Sequence, residues 1–193
     1  KLSSYHQKYA NLSDEEIQNR VDTKEQELVE IFKKVSLKTK SDQIRVAVLG
    51  CGDKRFIKFH KQIFEKILGK KVEITTFDIT TDHLAGEANI FKHDCTLSLP
   101  NPPYDITYGH VLLKFIETKK QFNILQNSFD TLSPGGVAIH IFDWEEIKAT
   151  SPKLPDGLWA VPLKQWEQQL TKLGVEYKEL ELKYGPVLIL LSY

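Results

Sequence analysis

The feature that most constrains the fold is a short aliphatic run that ends in a glycine turn. Residues 44–49 are β-branched or aliphatic apart from one arginine, and the run is too short for a typical helix. It therefore predicts a strand buried on both faces, as in the centre of a parallel sheet. Residues 50–53 (Gly-Cys-Gly-Asp) follow, and the two glycines let the backbone turn sharply and approach a ligand closely. A helix beginning near Lys54 would point its first amide groups at that ligand.

The rest of the chain alternates strand and helix patterns. Further strands are predicted over residues 72–77, 89–93, 104–108, 137–142, 175–183 and 187–193. Such alternation is typical of a parallel sheet covered by helices on both faces. Only residues 184–186 separate the last two strands, which is too few for a parallel crossover. The sequence thus predicts an α/β fold with a doubly wound, seven-stranded, mostly parallel sheet that ends in an antiparallel hairpin.

A helix is predicted before the first strand. Ser13 is a suitable cap, and Glu16 stands three residues later, which is the spacing of a capping box. Leu28 and Ile31 keep helical spacing up to an end near Leu37. We interpret this helix as a cover over one edge of the core.

Composition excludes several classes of protein. The formal net charge is zero, so the protein as a whole does not attract nucleic acid or anionic membranes, and a nucleic-acid partner would need a local basic patch. No apolar run approaches the roughly 18 residues that cross a bilayer, and the polar residues 1–8 hold no signal-peptide core, so a cytoplasmic protein is expected. Cys51 and Cys95 are too few for a disulfide framework or a zinc site, and no metal site is predicted. The absence of methionine suggests that the natural chain begins upstream of Lys1.

Five motifs occur in the order found in a large enzyme family. They are residues 46–52, Asp78, Asp94 with Cys95, residues 104–112 and residues 132–136. Together with the terminal hairpin, they make residues 44–193 resemble the class I S-adenosylmethionine-dependent methyltransferases. A dinucleotide-binding Rossmann unit is disfavoured because Arg55 holds the place of its third glycine.

The resemblance implies S-adenosylmethionine as the cofactor and a division of the chain into a helical cap, residues 1–43, and a cofactor-binding domain, residues 44–193. By this resemblance Asp78 accepts the ribose hydroxyls, and Asp94 accepts the adenine amino group with the Cys95 amide beside it. The predicted cofactor-binding residues are Gly50, Cys51, Gly52, Asp53, Asp78, Ile79, Asp94, Cys95, Tyr108, Gly109 and His110.

His110, two residues after the fourth predicted strand, is the first candidate for a catalytic base. His140 and Asp143 are the second choices. A base is needed when the methyl acceptor is a hydroxyl, a protonated amine or a carbon. Because the chain has no inserted substrate domain, a small-molecule acceptor is favoured. The lid would be built from the amino terminus and from residues 143–157. The rings of Tyr5, His6 and Tyr9 would either close over the pocket or lie on the surface. Trp159 is the tryptophan expected to meet a substrate.

Three features keep other functions open. The family usually has an acid where Val48 stands and a glycine where Lys54 stands, so a non-catalytic binding or scaffold protein is one alternative. The basic face of residues 55–71 favours an RNA or protein methyltransferase as another, although a solvated helix face explains it more simply. Residues 101–104 (Asn-Pro-Pro-Tyr) match a motif of amino-directed methyltransferases, but they precede the fourth strand instead of following it. We therefore interpret them as a loop-shaping segment. The sequence does not indicate an oligomeric state.

Overall fold

Seven strands form one sheet in the computed structural model, which describes residues 2–193. Lys1, the first residue of the polar amino terminus, lies outside the described residues. The strands are β1 Gln43–Leu49, β2 Lys71–Asp78, β3 Ile90–Lys92, β4 Tyr104–His110, β5 Leu132–Ile141, β6 Glu176–Glu181 and β7 Pro186–Ser192. The helices are α1 Ser4–Ala10, α2 Asp14–Lys34, α3 Arg55–Leu68, α4 Thr118–Asp130, α5 Trp144–Lys148 and α6 Leu163–Lys172. Short 3-10 turns span Asp82–Leu84 and Leu113–Phe115.

The order of the strands confirms the predicted fold class. It runs β3-β2-β1-β4-β5-β7-β6, with parallel pairing from β3 to β5 and antiparallel pairing of β7 with both β5 and β6. The aliphatic run of residues 44–49 is β1, and it lies between β2 and β4. The chain therefore reverses direction across the sheet beside β1, which is where ligands bind in open α/β sheets.

Two apolar layers cover the sheet. On one face, α2 and α3 pack through Leu28 and Phe64 against β-strand residues such as Val46. On the other face, α4 and α6 pack against alternate strand residues, for example Leu125 against Ala47. Since successive strand side chains point to opposite faces, β1 contributes to both layers, which explains its nearly unbroken hydrophobic sequence.

The predicted start of α2 is confirmed. The Ser13 hydroxyl accepts from the Glu16 amide at 3.0 Å, and the Glu16 carboxylate accepts from the Ser13 amide at 3.1 Å. The helix ends at Lys34, earlier than the expected end near Leu37. The α3 helix is followed by Gly69, which takes the left-handed conformation that glycine adopts readily.

Two helices were not predicted. The short α1 lies in the segment that the sequence shows only as polar and aromatic, and α5 lies inside residues 143–157, which were expected to be a loop. Both are too short to be stable alone, so contacts with the rest of the protein must hold them.

Residues 101–104 lie at the amino end of β4. The guanidinium of Arg45, near the start of β1, donates to the carbonyl oxygens of Asn101 and Pro103. Residues 101–104 therefore lie at the opposite end of the strands from the glycine turn. This position is compatible with the loop-shaping role that the sequence predicts for them. No helix within residues 2–193 is both long and apolar enough to cross a lipid bilayer.

Candidate functional site

A cavity of about 1050 Å³ opens at the carboxyl ends of β1, β2 and β4. The glycine turn forms its floor, the residues after β2 and β3 form one end, and α1 and α2 cover it. Its volume is at the upper limit of the roughly 300–1000 Å³ usual for small-molecule sites. There is therefore room for an extended ligand and a small second one.

The glycine turn is held close to its neighbours. The amide of Gly50 donates to the carbonyl of Phe77 at 2.7 Å, and its φ of 82° lies in the region that favours glycine. A Cβ added at Gly52 would stand 3.5 Å from the Tyr5 hydroxyl and 3.6 Å from the Tyr9 ring. The rings of α1 therefore lie directly over the turn, as we expected for a lid.

Asp78 is fixed at the end of β2 by backbone donors. One carboxylate oxygen accepts from the Cys51 amide at 2.9 Å, and the other accepts from the Thr80 amide at 3.1 Å. Since a carboxylate can accept about four hydrogen bonds, capacity for further donors remains. Ile79, the next residue, has 61% of its surface exposed although it is apolar, and it lines the cavity.

His83 stabilises the same end of the cavity, although no sequence pattern points to it. Its Nε2 lies 2.6 Å from the Cys51 carbonyl oxygen and 3.7 Å from Oδ2 of Asp78. The ring stacks on His6 of α1, with centroids 3.7 Å apart and planes within 10° of each other. The stack ties the amino-terminal helix to the turn after β2.

Asp94 and Cys95 lie beside each other beyond β3 and line the cavity. Oδ1 of Asp94 accepts from both the amide and the hydroxyl of Thr96, at 2.9 and 2.7 Å. These hydrogen bonds hold the pKa of Asp94 below its usual range, so the carboxylate is ionised at neutral pH. Oδ2 has no partner within residues 2–193 and remains available as an acceptor.

Most of the predicted site residues line this one cavity. They are Gly50, Cys51, Gly52, Asp78, Ile79, Asp94, Cys95, Tyr108 and His110. Asp53 and Gly109 do not line it. Both oxygens of the Asp53 carboxylate bind Arg55, and Gly109 gives space to His140, whose Nδ1 would lie 3.2 Å from an added Cβ.

The structure does not bring His140 or Trp159 to the cavity. His140 is buried on the other side of the sheet, where its Nε2 lies 2.8 Å from the hydroxyl of Ser128, and burial lowers its pKa to about 3. Trp159 lies in the segment before α6 and pairs with Lys153. Of residues 143–157, only Asp143 lines the cavity, so the second half of the expected lid is replaced by α2.

Arg55 fastens the amino-terminal segment to the glycine turn. Its guanidinium donates to the carbonyl oxygens of Tyr9 and Leu12, at 3.0 and 2.9 Å, and to the Asp14 carboxylate at 2.9 Å. The same side chain binds Asp53 at the start of α3. Arg55, which stands where a dinucleotide-binding unit has a glycine, thus keeps the amino-terminal segment in place over the cavity.

A group of polar residues at the end of the cavity away from Asp94, all buried except the partly exposed His110, was largely missed by sequence reasoning. It comprises Lys24, Glu27, His60, Tyr108 and His110. The Nε2 of His110 lies 3.0 Å from Oε1 of Glu27. The available signal was in α2, where Lys24 and Glu27 interrupt the apolar spacing, but periodicity alone does not show what they face. We refer to these five residues as the polar cluster.

The protonation of the polar cluster follows from its burial. Burial lowers the pKa of His110, and the Lys24 ammonium lowers it further, while the hydrogen bond to Glu27 acts in the opposite direction. His110 is therefore neutral at pH 7. With Nε2 donating to Glu27, its Nδ1 carries the lone pair, and 28% of the side chain is exposed. A neutral, oriented imidazole of this kind can accept a proton.

Within residues 2–193, no group of three or more His, Cys, Asp or Glu side chains is placed to hold a metal ion.

The fold is that of known methyltransferases, although the sequence identity to the solved structures described below is low. No protein-family model and no curated protein matches the sequence. The structure is similar to DesVI of Streptomyces venezuelae, with a TM-score of 0.65 at 10% identity over 90% of this chain and 92% of that one. It is also similar to an S-adenosylmethionine-dependent methyltransferase of Clostridium acetobutylicum, with a TM-score of 0.64 at 12% identity over 96% and 97%. The sugar N-methyltransferase KedS8 of a Streptoalloteichus species gives 0.61 at 10% identity over 84% and 85%.

Proposed function

We propose that this protein is an S-adenosylmethionine-dependent methyltransferase that acts on a small molecule. The observation that carries the proposal is the arrangement of one cavity: the glycine turn, Asp78 and Asp94 line it on one side and the His110–Glu27 pair on the other. The shared fold, whose solved members include enzymes described by this cofactor and by a sugar acceptor, supports it. In the proposal, residues 1–43 form the cap and residues 44–193 the cofactor-binding domain.

The side chains around the glycine turn fit the cofactor. Asp78 has acceptor capacity for a pair of hydroxyls, and Oδ2 of Asp94 has it for an amino group. Exposed Ile79 offers an apolar surface for a flat ring. S-Adenosylmethionine supplies an electrophilic methyl group on a sulfonium centre. The role of the chain is to bind the cofactor and the acceptor, to align them and to exclude water.

His110 is proposed to remove the proton of the acceptor. Glu27 holds its Nε2 so that Nδ1 is the proton-accepting atom, and it stabilises the imidazolium once the proton has moved. The arrangement suits a hydroxyl, which loses its proton as the methyl group arrives, or a protonated amine, which must lose a proton first to free its lone pair. An acceptor that already carries a free lone pair and no proton to lose would not need the His110–Glu27 pair.

The partial cover over the cavity favours a small acceptor over a macromolecule. Both α1 and α2 cover it, and the rings of Tyr5 and Tyr9 contact the glycine turn. The basic face of α3, on which the RNA alternative depends, lies largely in solvent, and Lys66 there pairs with Glu25 at 3.3 Å. RNA binding by this face would weaken steeply as salt is raised, which a filter-binding titration would reveal.

The experiment for the proposed function is calorimetric titration with S-adenosylmethionine and S-adenosylhomocysteine. We expect micromolar binding to the unmodified protein and loss of binding in Asp78→Ala. The matched control is Glu87→Gln, which removes an exposed charge nearby and should bind like the unmodified protein. No binding by the folded, ligand-free protein would refute the proposal.

A second assay separates the enzyme from a non-catalytic relative. Release of S-adenosylhomocysteine would be followed with a panel of small hydroxyl and amine acceptors. Turnover that is lost in His110→Gln with cofactor affinity retained supports the enzyme. Tight cofactor binding without turnover on any acceptor favours the binding or scaffold alternative, which the family's missing acid at Val48 suggested.

A further inference from the structure

The cavity is lined by a lysine that no acid among the described residues pairs with directly. Lys24 is 9% exposed, and within residues 2–193 its ammonium makes no hydrogen bond and no ion pair at 4.0 Å or less. Its Nζ instead lies 4.9 Å from the centroid of the Phe56 ring and 5.7 Å from that of Tyr108. Glu27, three residues along α2, is engaged by His110.

Two neutral side chains beside this lysine are also without partners. In the part of the chain that the structure describes, neither ring nitrogen of His60 has a hydrogen-bond partner and neither does the hydroxyl of Tyr108, although His60 is 2% exposed and Tyr108 1%. The rings of His60 and Tyr108 are 5.8 Å apart, and both line the cavity. Buried polar groups are normally paired, because an unpaired one costs about 1–3 kcal/mol. This concentration of unpaired groups in one place therefore points to a ligand.

We infer that Lys24, His60 and Tyr108 form a subsite for a carboxylate group. Their donors are the ammonium, a ring N–H and a hydroxyl, which match the two oxygens of a carboxylate. A single buried cation balances a single negative charge, and the Glu27 carboxylate nearby would repel a doubly charged group such as phosphate. The Phe56 and Tyr108 rings give the subsite apolar walls.

The protonation of the subsite agrees with this inference. Burial lowers the pKa of Lys24 to about 8, so it remains mostly protonated at pH 7, and burial keeps the His60 imidazole neutral by lowering its pKa. A bound carboxylate would favour the charged lysine and raise its pKa.

The carboxylate has two possible sources, and for one of them the inference rests on the proposed function. It is either the carboxylate of the methionine portion of the cofactor or that of the acceptor. S-Adenosylmethionine and its decarboxylated analogue differ in this group alone, so comparing them tests the first source. Benzoate and its neutral isostere benzamide test for a second carboxylate ligand, by the rise in melting temperature that each produces.

The decisive variant is Lys24→Met, which removes the charge and keeps the length, with Tyr108→Phe to remove only the hydroxyl. The control is Lys33→Met on the exposed side of α2. If the cofactor supplies the carboxylate, Lys24→Met weakens the binding of S-adenosylmethionine by about ten-fold or more and leaves the affinity for the decarboxylated analogue unchanged. If the acceptor supplies the carboxylate, Lys24→Met leaves cofactor affinity unchanged. Benzoate, but not benzamide, then raises the melting temperature of the unmodified protein, and this rise disappears in the variant.

The inference is overturned if Lys24→Met and Tyr108→Phe, both folded by circular dichroism, alter neither cofactor affinity nor stabilisation by benzoate. A protein that binds no S-adenosylmethionine at all refutes the proposed function instead. In that case benzoate alone decides whether the subsite exists.

Discussion

Replacing Arg55 by alanine should release the amino-terminal lid from the glycine turn without unfolding the protein. In the native structure its guanidinium donates to the carbonyl oxygens of Tyr9 and Leu12, at 3.0 and 2.9 Å. Hydrogen bonds from a charged donor contribute about 1.5–3 kcal/mol each. Because the side chain is 26% exposed, we take the lower figure for each, about 3 kcal/mol for the two bonds. That free energy corresponds to a rise of about 100-fold in the population of the open lid.

Trypsin measures this population, since Lys8 lies in α1 and cleavage there requires the helix to open. The rate of cleavage after Lys8 should rise by about two orders of magnitude in Arg55→Ala, in the regime where the open population governs proteolysis. Lys54→Ala is the matched control, because this neighbouring lysine is exposed and makes no capping hydrogen bond. A cleavage rate in Arg55→Ala within a few-fold of the control would refute the argument that this arginine holds the lid.

Three further outcomes follow from the structure. Glu27→Gln should lower the pKa of His110 further, since Glu27 favours the imidazolium, and NMR titration of the ring would then show protonation only at lower pH than in the unmodified protein. Gly185→Ala should destabilise the protein by at least about 2 kcal/mol in urea unfolding, because the new Cβ would lie 1.8 Å from the carbonyl oxygen that follows β5. Gly157→Ala, whose Cβ meets no atom within 4 Å, should show only the smaller backbone strain of its φ of 85°. Burial raises the pKa of Glu146 to about 8, so the native state keeps its proton and stability falls as pH rises from about 4.5 to 8. Glu146→Gln should remove a loss on the order of 3–5 kcal/mol between pH 5 and 8.5 in the same assay, and an unchanged pH dependence would contradict this.

Local sequence patterns sufficed to predict the sheet because each of its elements carries its own signal. Residues 44–49 show burial on both faces, and the short 184–186 connection allows only antiparallel pairing. Asp78 and Asp94 were assigned to the site through the family resemblance, and both line the cavity because the residues that follow parallel strands meet at one edge of the sheet.

The polar cluster was not predictable in the same way, because it depends on how distant elements cross. Lys24 and His60 face each other only because α2 and α3 pack side by side over the sheet. Periodicity shows which face of α2 is apolar, but it does not show that the carboxyl ends of the strands lie beneath Lys24 and Glu27. The docking of α1 likewise depends on Arg55, which is more than 40 positions away from the carbonyls it binds.

The boundary at residue 43 separates roles in the proposed function, but it does not separate two units of folding. The α2 helix contributes fully buried apolar side chains to the main core, and together with its cap residue these are Ile17, Val21, Leu28, Ile31 and Val35. Burying such a side chain stabilises a protein by about 1.5–3 kcal/mol, so these residues together contribute up to about 7–15 kcal/mol. This is comparable with the whole stability of a typical domain, about 5–15 kcal/mol.

We therefore expect residues 44–193 alone to be unable to form the native fold. A fragment lacking only residues 1–11 should fold, because α1 contains no buried residue. Near-ultraviolet circular dichroism and cooperative urea unfolding distinguish the two fragments. Cooperative unfolding of residues 44–193 would contradict the reasoning, and it would mean that α2 is a removable cover over a core that is complete without it. Failure of that fragment, with folding of the longer one, would show that the helix carrying Lys24 and Glu27 is part of the same core that positions the glycine turn.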